Sequence, residues 1–309
     1  MSTTMRLAAR ALSAAVLLVA SGAIAAPRDQ VPYIDAHSHL LTVISPDEEI
    51  ALFRKAGLAG VVIMYPDIEA LEGGATRNRG YVIPSASVAR TAQAAGLRLG
   101  PDTATVLGRL QGQGAICGFG ELPTRFAPNP YPSDAASITA PERRAIYALA
   151  AARGVPVSAH VSLETPETIA AVEAMAAAYP AMPLILAHAG WGADADLIGR
   201  LMAAHPNLYA DLSIRLDPTR ADNPNLALSI LTPDGALEPE WRAVIERFPG
   251  RFLFAMDITE SQRHGRMSEL LAAARTAFAP LAPEVEAAVA HGNIQRLMRG
   301  CPAGPSTRP

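Results

Sequence analysis

Tyr33-Ile34-Asp35-Ala36-His37-Ser38-His39-Leu40 begins as an apolar, strand-forming segment and runs into two histidines two positions apart. Alternate side chains of a β-strand share one face, so we expect Asp35, His37 and His39 to point the same way. The opposite face is expected to carry the intervening residues Ile34, Ala36 and Ser38. Two imidazoles at the end of a strand make half of a metal site. Because such a pair is common by itself, its meaning depends on the rest of the chain.

The composition restricts the class of protein. The chain has 309 residues with a formal net charge of −3, which argues against nucleic-acid binding by bulk electrostatics. Half of the residues are hydrophobic, enough for a large core, and the length fits one domain of the α/β-barrel type. We therefore expect no nucleic-acid partner, and the oligomeric state stays open.

The N-terminus has the pattern of a secretory signal peptide. Arg6 and Arg10 precede an apolar run, and the small-residue sequence Ala23-Ile24-Ala25 follows it, as in the charged, hydrophobic and cleavage regions of such peptides. We predict cleavage after Ala25, so that residues 1–25 are a signal peptide and the mature protein keeps no stable membrane anchor. The predicted location is periplasmic or secreted.

Apolar strand-like segments alternate with helical segments along the mature chain. The predicted strands cover residues 33–40, 60–66, 97–100, 115–121, 155–160, 183–188, 207–213 and 251–257. A helix is predicted at 85–95, and Ser45 with Pro46 and three following acids predicts the start of the first helix. Buried strands in strand–helix alternation form a parallel sheet with right-handed crossovers. Eight such units predict a single (β/α)8 TIM barrel over residues 26–300, with a disordered tail at 301–309.

Histidines and acids collect at the ends of these strands. The residues concerned are His37, His39, Glu121, His160, His188 and Asp257. In (β/α)8 barrels the carboxyl ends of the strands carry the chemistry, so these side chains are candidate ligands of one metal centre.

Strand alternation predicts which neighbours share the inward face with the candidate ligands. The expected inward companions are Cys117 and Phe119 for Glu121, Pro156 and Ser158 for His160, Leu186 for His188, and Leu253 and Ala255 for Asp257. Asp211, at the end of strand seven, is interpreted as a hydrogen-bonding residue rather than a catalytic one. Cys117 and Cys301 are the two cysteines; they make no disulfide framework, and we expect Cys117 to be a buried thiol.

The ordered set of motifs resembles the amidohydrolase superfamily over nearly the whole mature chain. The motifs are Asp35-Ala36-His37-Ser38-His39, Gly118-Phe119-Gly120-Glu121, His160, Ala187-His188-Ala189-Gly190, Asp257 and Gly292-Asn293-Ile294-Gln295-Arg296-Leu297. Many members bridge two metals with a carboxylated lysine on strand four, but Lys55 on the first helix is the only lysine here.

The subfamily stays open between two groups. Glu121 on strand four is similar to the glutamate that helps to hold two metals in TatD-like hydrolases. The sixth-strand segment and the approach to strand seven look more like the amidohydrolase-related branch. That branch includes lactonases and aminocarboxymuconate semialdehyde decarboxylases, and its members bind one metal or none.

Nitrogen and oxygen ligands without thiolate suit zinc first, with manganese or iron(II) as alternatives, and we expect one or two ions per chain. The resemblance implies that Asp257 moves the proton of the attacking water, and that His188 either binds a second metal or polarises the substrate. Arg125, Tyr65 and Arg215 are predicted to bind substrate. The expected function is an exported metal-dependent hydrolase of a small ester, lactone, amide or phosphoester. The alternatives are a metal-dependent decarboxylase and a catalytically silent metal-binding barrel.

Overall fold

The structure is a computed structural model that describes most of the chain. It covers residues 30–40, 44–65, 77–88, 96, 99–123, 135–220, 228–259 and 261–301. The predicted signal peptide and Arg125 lie outside the described residues, as do positions 302–309 of the predicted tail. Among the helices within these ranges, none is both long and apolar enough to cross a membrane.

Eight parallel strands follow one another around the sheet in chain order. They are β1 (Ile34–His39), β2 (Gly60–Tyr65), β3 (Val82–Ala86), β4 (Gly118–Pro123), β5 (Val157–His160), β6 (Leu184–Leu186), β7 (Leu208–Asp211) and β8 (Phe252–Leu253). Backbone hydrogen bonds also join β1 to the segment that follows β8, for example from the Ala36 amide to the Phe254 carbonyl at 3.0 Å. The predicted (β/α)8 barrel is therefore confirmed.

Helices connect the strands on the outside of the barrel. They are α1 (Pro46–Lys55), α2 (Pro101–Gly112), α3 (Ala135–Ile138), α4 (Pro141–Arg153), α5 (Pro166–Ala178), α6 (Ala195–Ala204), α7 (Pro239–Arg247), α8 (Ser261–His264), α9 (Met267–Phe278), α10 (Pro283–Ala287) and α11 (Asn293–Leu297). A π-helical segment, Ala288–Gly292, joins α10 to α11. Helix α1 begins as predicted, because the Ser45 hydroxyl accepts from the Glu48 amide and the Glu48 carboxylate accepts from the Ser45 amide.

The strands divide the buried side chains into two layers. The larger layer lies between the sheet and the helices and includes Val61 and Phe254. The smaller layer fills the barrel interior beneath the site, and Ile294 and Met298 of the C-terminal segment close it. In β8, Leu253 and Ala255 belong to the interior layer while Phe252, Phe254 and Met256 belong to the outer layer, so the predicted alternation is correct there.

The third strand lies earlier than the sequence predicts. β3 covers Val82–Ala86, where we expected the start of a helix at 85–95, and residues 99–100 of the expected strand form a bend. Pro84 lies inside this strand, and pairing with β4 begins at Ser85, opposite Gly118. The missing amide hydrogen of Pro84 therefore costs no bond of that ladder.

The two cysteines form a disulfide at the N-terminal end of the barrel. Cys117 precedes β4, Cys301 follows α11, and their Cα atoms are 5.3 Å apart. The expectation of a free buried thiol at Cys117 is therefore wrong. Cys301, the first residue of the predicted tail, is covalently bonded to the barrel, and the pairing was missed because 184 positions separate the two residues.

Candidate metal centre

Four predicted ligands bring their donor atoms together at the C-terminal end of the barrel. The Nε2 atoms of His37 and His39 are 3.2 Å apart. Asp257 Oδ1 lies 3.7 Å and 3.6 Å from these two nitrogens. Glu121 Oε2 lies 3.9 Å from His37 Nε2 and 3.7 Å from His39 Nε2. We call this set the first donor group.

Glu121 also faces a second set of imidazoles with its other oxygen. Oε1 lies 2.6 Å from His160 Nδ1 and 3.5 Å from His188 Nε2. The His160 and His188 ring centroids are 4.9 Å apart. We call Glu121 Oε1, His160 and His188 the second donor group. One carboxylate therefore lies between two groups of nitrogen donors.

A bulge in β1 turns both histidines of the first group inward. Asp35 pairs with Val61 and Ser38 pairs with Ile63, so β1 has one more residue than β2 between these pairs. The predicted alternation is wrong before the bulge: Ile34 and Ala36 lie in the interior layer. Asp35 shares the outward register of Val61 instead of facing inward with the histidines.

Asp35 stabilises this bulge rather than joining the metal centre. Its Oδ1 accepts from the His37 amide at 3.0 Å and from the Met256 amide at 2.9 Å, and its Oδ2 accepts from the Ser38 hydroxyl. The carboxylate thus joins the ligand-bearing end of β1 to the segment that carries Asp257.

A second irregularity, in β4, turns the Glu121 side chain toward the centre. Between Phe119 and Leu122, β4 gains one residue relative to β5, so Glu121 does not share the face of Phe119 as alternation predicted. Phe119 packs in the outer layer. Gly120 makes the bend possible, because its φ is 149° and a Cβ there would lie 2.7 Å from the Ser158 carbonyl oxygen. Ser158 itself precedes His160 on β5 at inward register, as predicted.

His188 and Asp257 reach the centre from left-handed backbone conformations. Their φ values are 56° and 51°, which non-glycine residues rarely adopt. β6 ends at Leu186, whose side chain packs in the outer layer, so the predicted shared face of Leu186 and His188 is wrong. The turn after the strand, rather than strand alternation, directs His188.

Asp211 and Ser213 form a layer of hydrogen-bonding residues behind the ligands. Asp211 Oδ2 lies 3.0 Å from His37 Nδ1, which turns the Nε2 of that ring toward the centre. Asp211 Oδ1 accepts from the Ser213 hydroxyl, and Ser213 Oγ lies 2.8 Å from His188 Nδ1. The hydrogen-bonding interpretation of Asp211 is therefore correct. Sequence reasoning missed Ser213, whose one signal was its place at the end of the predicted seventh strand.

The carboxylates of the site hold positive charge on the imidazoles. Burial opposes a charged His37, but Asp211, Glu121 and Asp257 raise its pKa to about 10. Burial would raise the pKa of Glu121, but its contacts with His160, His188 and His37 hold that pKa well below its usual range.

The same balance acts on the neighbouring groups. Burial favours neutral His160, but Glu121 raises the pKa of that imidazole. Burial also favours neutral Asp211, yet His37 lowers its pKa. The carboxylates attract positive charge that a divalent cation would supply in place of protons, so we expect metal binding to release protons and to weaken as the pH falls.

The donor atoms fit a divalent metal. Ligands at 2.0–2.2 Å from one tetrahedral ion lie about 3.3 Å from each other, close to the 3.2 Å between the two Nε2 atoms. Imidazole and carboxylate donors without thiolate suit zinc, manganese or iron(II). Three sets of side chains have donor atoms close enough to share an ion: His37 with His39 and Glu121, His37 with His188 and Asp211, and Glu121 with His160 and His188.

Two of the residues predicted to bind substrate have other surroundings. Tyr65 is fully buried in the outer layer with Val61 and Ile63, so it faces the helices instead of the barrel interior. Arg215 is 3 % exposed, and its guanidinium donates to backbone carbonyls. Both substrate-binding assignments are therefore corrected. Trp191 does lie beside the centre, with its ring centroid 5.9 Å from that of His188.

The fold and the donor atoms define a (β/α)8 barrel with a candidate metal site at its C-terminal end. The family model for amidohydrolases matches residues 27–300. The chain therefore belongs to the amidohydrolase family, and the resemblance inferred from its motifs is confirmed. No curated protein sequence matches the chain.

Solved structures share the fold at low sequence identity. Dihydroorotase from Saccharomyces cerevisiae in complex with 5-fluoroorotic acid has a TM-score of 0.59 and 13% identity, over 87% of this chain and 84% of that one. A probable 2-pyrone-4,6-dicarboxylic acid hydrolase from Acinetobacter baumannii with citric acid bound has a TM-score of 0.56 and 11% identity, over 86% and 99%. N-acyl-D-glutamate deacylase from Bordetella bronchiseptica, complexed with zinc and a phosphonate inhibitor, has a TM-score of 0.53 and 14% identity, over 86% and 74%.

Proposed function

We propose that this protein is an exported metal-dependent hydrolase that uses a metal-activated water on a small ester, lactone, amide or phosphoester. The observation that carries the proposal is the position of Glu121, whose two carboxylate oxygens face the first and the second donor groups. A carboxylate in this position would help to hold an ion in either donor group. Similar structures named as a deacylase, a pyrone dicarboxylic acid hydrolase and a dihydroorotase agree with hydrolysis at a carbonyl.

Different residues of the chain would bind the two ions. His37, His39, Asp257 and Glu121 would hold one ion, and Glu121, His160 and His188 a second. A divalent metal lowers the pKa of a coordinated water toward about 7 and polarises a substrate oxygen.

Asp257 would take the proton from the attacking water and pass it to the leaving group. Its amide donates to the His37 carbonyl at 2.7 Å, which fixes the position of the carboxylate relative to the first histidine. Asp211 keeps the Nε2 of His37 turned toward the centre and, through Ser213, orients His188.

Metal content and turnover together test the proposal. We expect two zinc, manganese or iron ions per chain in the purified protein, and turnover in a panel of lactones, aryl esters, amides and phosphoesters. His39→Ala and Asp257→Asn should abolish turnover and keep the thermal unfolding midpoint within a few degrees. His291→Ala is the matched control, because this histidine lies near Gln295 on the C-terminal segment, away from both donor groups.

Three outcomes would contradict the proposal. Protein without bound metal that gains no activity from added zinc or manganese is not a metalloenzyme. Turnover that survives both substitutions places the chemistry elsewhere. Release of CO₂ from a small acid, with no hydrolysis across the panel, indicates a decarboxylase on the same barrel.

The disulfide supports the exported location. Disulfides form and persist in oxidising compartments, and Cys117 is bonded to Cys301. Expression of the full chain in bacteria, followed by fractionation and N-terminal sequencing, should give periplasmic or secreted protein that begins at Ala26. A cytoplasmic protein that retains residues 1–25 would refute the export proposal without affecting the proposed chemistry.

A further inference from the structure

The turn that presents His188 has an unusual backbone. His188, Ala189 and Gly190 all have positive φ values, 56°, 52° and 66°. Two of the three residues carry a Cβ, so this conformation persists only where the surroundings enforce it. The position of His188 therefore depends on contacts outside β6.

Arg215 provides most of these contacts. Its Nε donates to the His188 carbonyl at 2.8 Å, and its Nη2 donates to the carbonyls of Gly190 at 2.8 Å and Ala193 at 3.0 Å. Its Nη1 lies 3.4 Å from the Leu228 carbonyl. The planar guanidinium joins the carbonyls of His188, Gly190 and Ala193 in a fixed geometry that a lysine ammonium would not reproduce.

Two kinds of contact surround this buried charge: hydrogen bonds to backbone carbonyls and the ring of Trp241, whose centroid lies 5.1 Å from Arg215 Cζ. Arg215 is 3 % exposed, and among the described residues no carboxylate lies within salt-bridge distance of its guanidinium. Burial lowers its pKa to about 10, against the more distant charges of Glu238 and Asp194. Burying a cation without a paired anion is costly, and the hydrogen bonds to the carbonyls of His188, Gly190 and Ala193 offset part of that cost.

The same short segment also holds the imidazole of His188. Ser213 Oγ lies 2.8 Å from His188 Nδ1, and Asp211 Oδ1 accepts from the His188 amide at 3.1 Å. Residues 211–215 therefore contact the amide, the ring and the carbonyl of His188. The loop after β7 fixes a ligand that belongs to the end of β6.

We propose that Arg215 is a positioning residue for the second donor group, which sets the affinity of a metal bound by His160 and His188. This inference rests on the proposed two-metal function. Loss of the guanidinium should let the turn relax and move His188 Nε2 away from Glu121 Oε1. Residues that hydrogen-bond to metal ligands typically change metal affinity by about 10- to 100-fold. We therefore expect loss of the guanidinium to weaken metal binding by that factor in the second donor group and not in the first.

Arg215→Lys in the full chain tests the inference by metal release. The wild-type and variant proteins are loaded with zinc, titrated with a chelator, and analysed for zinc per chain at each chelator concentration. We expect two zinc ions in the wild type. In Arg215→Lys, one zinc should be released at about 10- to 100-fold lower chelator concentration, and the other should be released as in the wild type.

Arg251→Lys is the matched control. Arg251 also donates to two backbone carbonyls, those of His205 and Leu208, but these lie at the opposite end of β7 from Arg215. Its zinc release should equal that of the wild type. Thermal unfolding of each variant in excess chelator reports any general loss of stability. Arg215→Gln, which removes the charge but keeps two amide donors, replaces Arg215→Lys if the lysine variant does not fold.

The outcomes distinguish the two-metal function from the positioning role of Arg215. A wild-type protein with fewer than two zinc ions refutes the two-metal function before any variant is compared. Two ions in the wild type, with unchanged release in the Arg215 variant that folds, overturn the inference and leave the two-metal function intact. Equal weakening of both ions, or equal effects in Arg251→Lys, also overturns it, because the role of Arg215 would then be general stability.

Discussion

Reduction of the Cys117–Cys301 disulfide should strongly destabilise the barrel. The bond joins residues 184 positions apart, and closing a loop of that length removes about 5 kcal/mol of chain entropy from the unfolded state at 25 °C. Measured losses for native disulfides are typically about 2–5 kcal/mol. We therefore expect the free energy of unfolding to fall by an amount in that range when the bond is reduced.

Guanidinium unfolding, followed by the fluorescence of Trp191 and Trp241, measures this difference with and without a thiol reductant. The variant with Cys117→Ala and Cys301→Ala is the control, and its unfolding should not respond to reductant. Mass spectrometry after alkylation of the unfolded, unreduced protein should find no free thiol. The reasoning is refuted if the wild-type midpoint is the same with and without reductant, or if alkylation labels two thiols per chain.

Three further changes test the site and the loops around it. Asp211→Asn should weaken zinc binding about 10- to 100-fold in a chelator titration, because the carboxylate that orients the histidines is lost; wild-type affinity would contradict this. Gly120→Ala should lower the thermal midpoint and the metal content, since its Cβ would lie 2.7 Å from the Ser158 carbonyl oxygen, whereas Gly108→Ala, within helix α2, should do neither. Burial raises the pKa of Asp217, but hydrogen bonds from Arg266 and Thr219 lower it overall. Asp217→Asn should therefore destabilise the protein at pH 7, and the difference from wild type should shrink as the pH falls below about 4; a constant difference would refute the assignment.

The sequence predicted the barrel because its strands are apolar and end in residues of distinctive chemistry. In β8, alternation placed Leu253 inside the barrel and Phe254 outside it correctly. The third strand was misplaced because Val82–Ala86, which forms β3, contains a proline and overlaps the helix expected at 85–95. This strand is defined by its pairing with β2 and β4, and local signals do not show such contacts.

The sequence alone could not predict the surroundings of Arg215 and Tyr65. Arg215 stands on a loop near the rim, which favours substrate binding, but its guanidinium turns toward the backbone of a neighbouring loop. Tyr65 ends β2, yet strand register turns it to the helix layer. In both cases the orientation depends on partners that are distant in sequence.

The candidate ligands were identified by position, but regular strand geometry does not bring them together. His37 and Glu121 lie within bulges, and His188 and Asp257 have left-handed backbones. His160 ends the regularly paired β5, so departures from strand register bring the other donors to the centre that it shares. The bulge at Glu121 has the largest consequence, because it places one carboxylate oxygen toward each donor group. Position at the end of a strand thus predicts which residues reach the centre, whereas the irregular backbone there determines how their donor atoms are arranged.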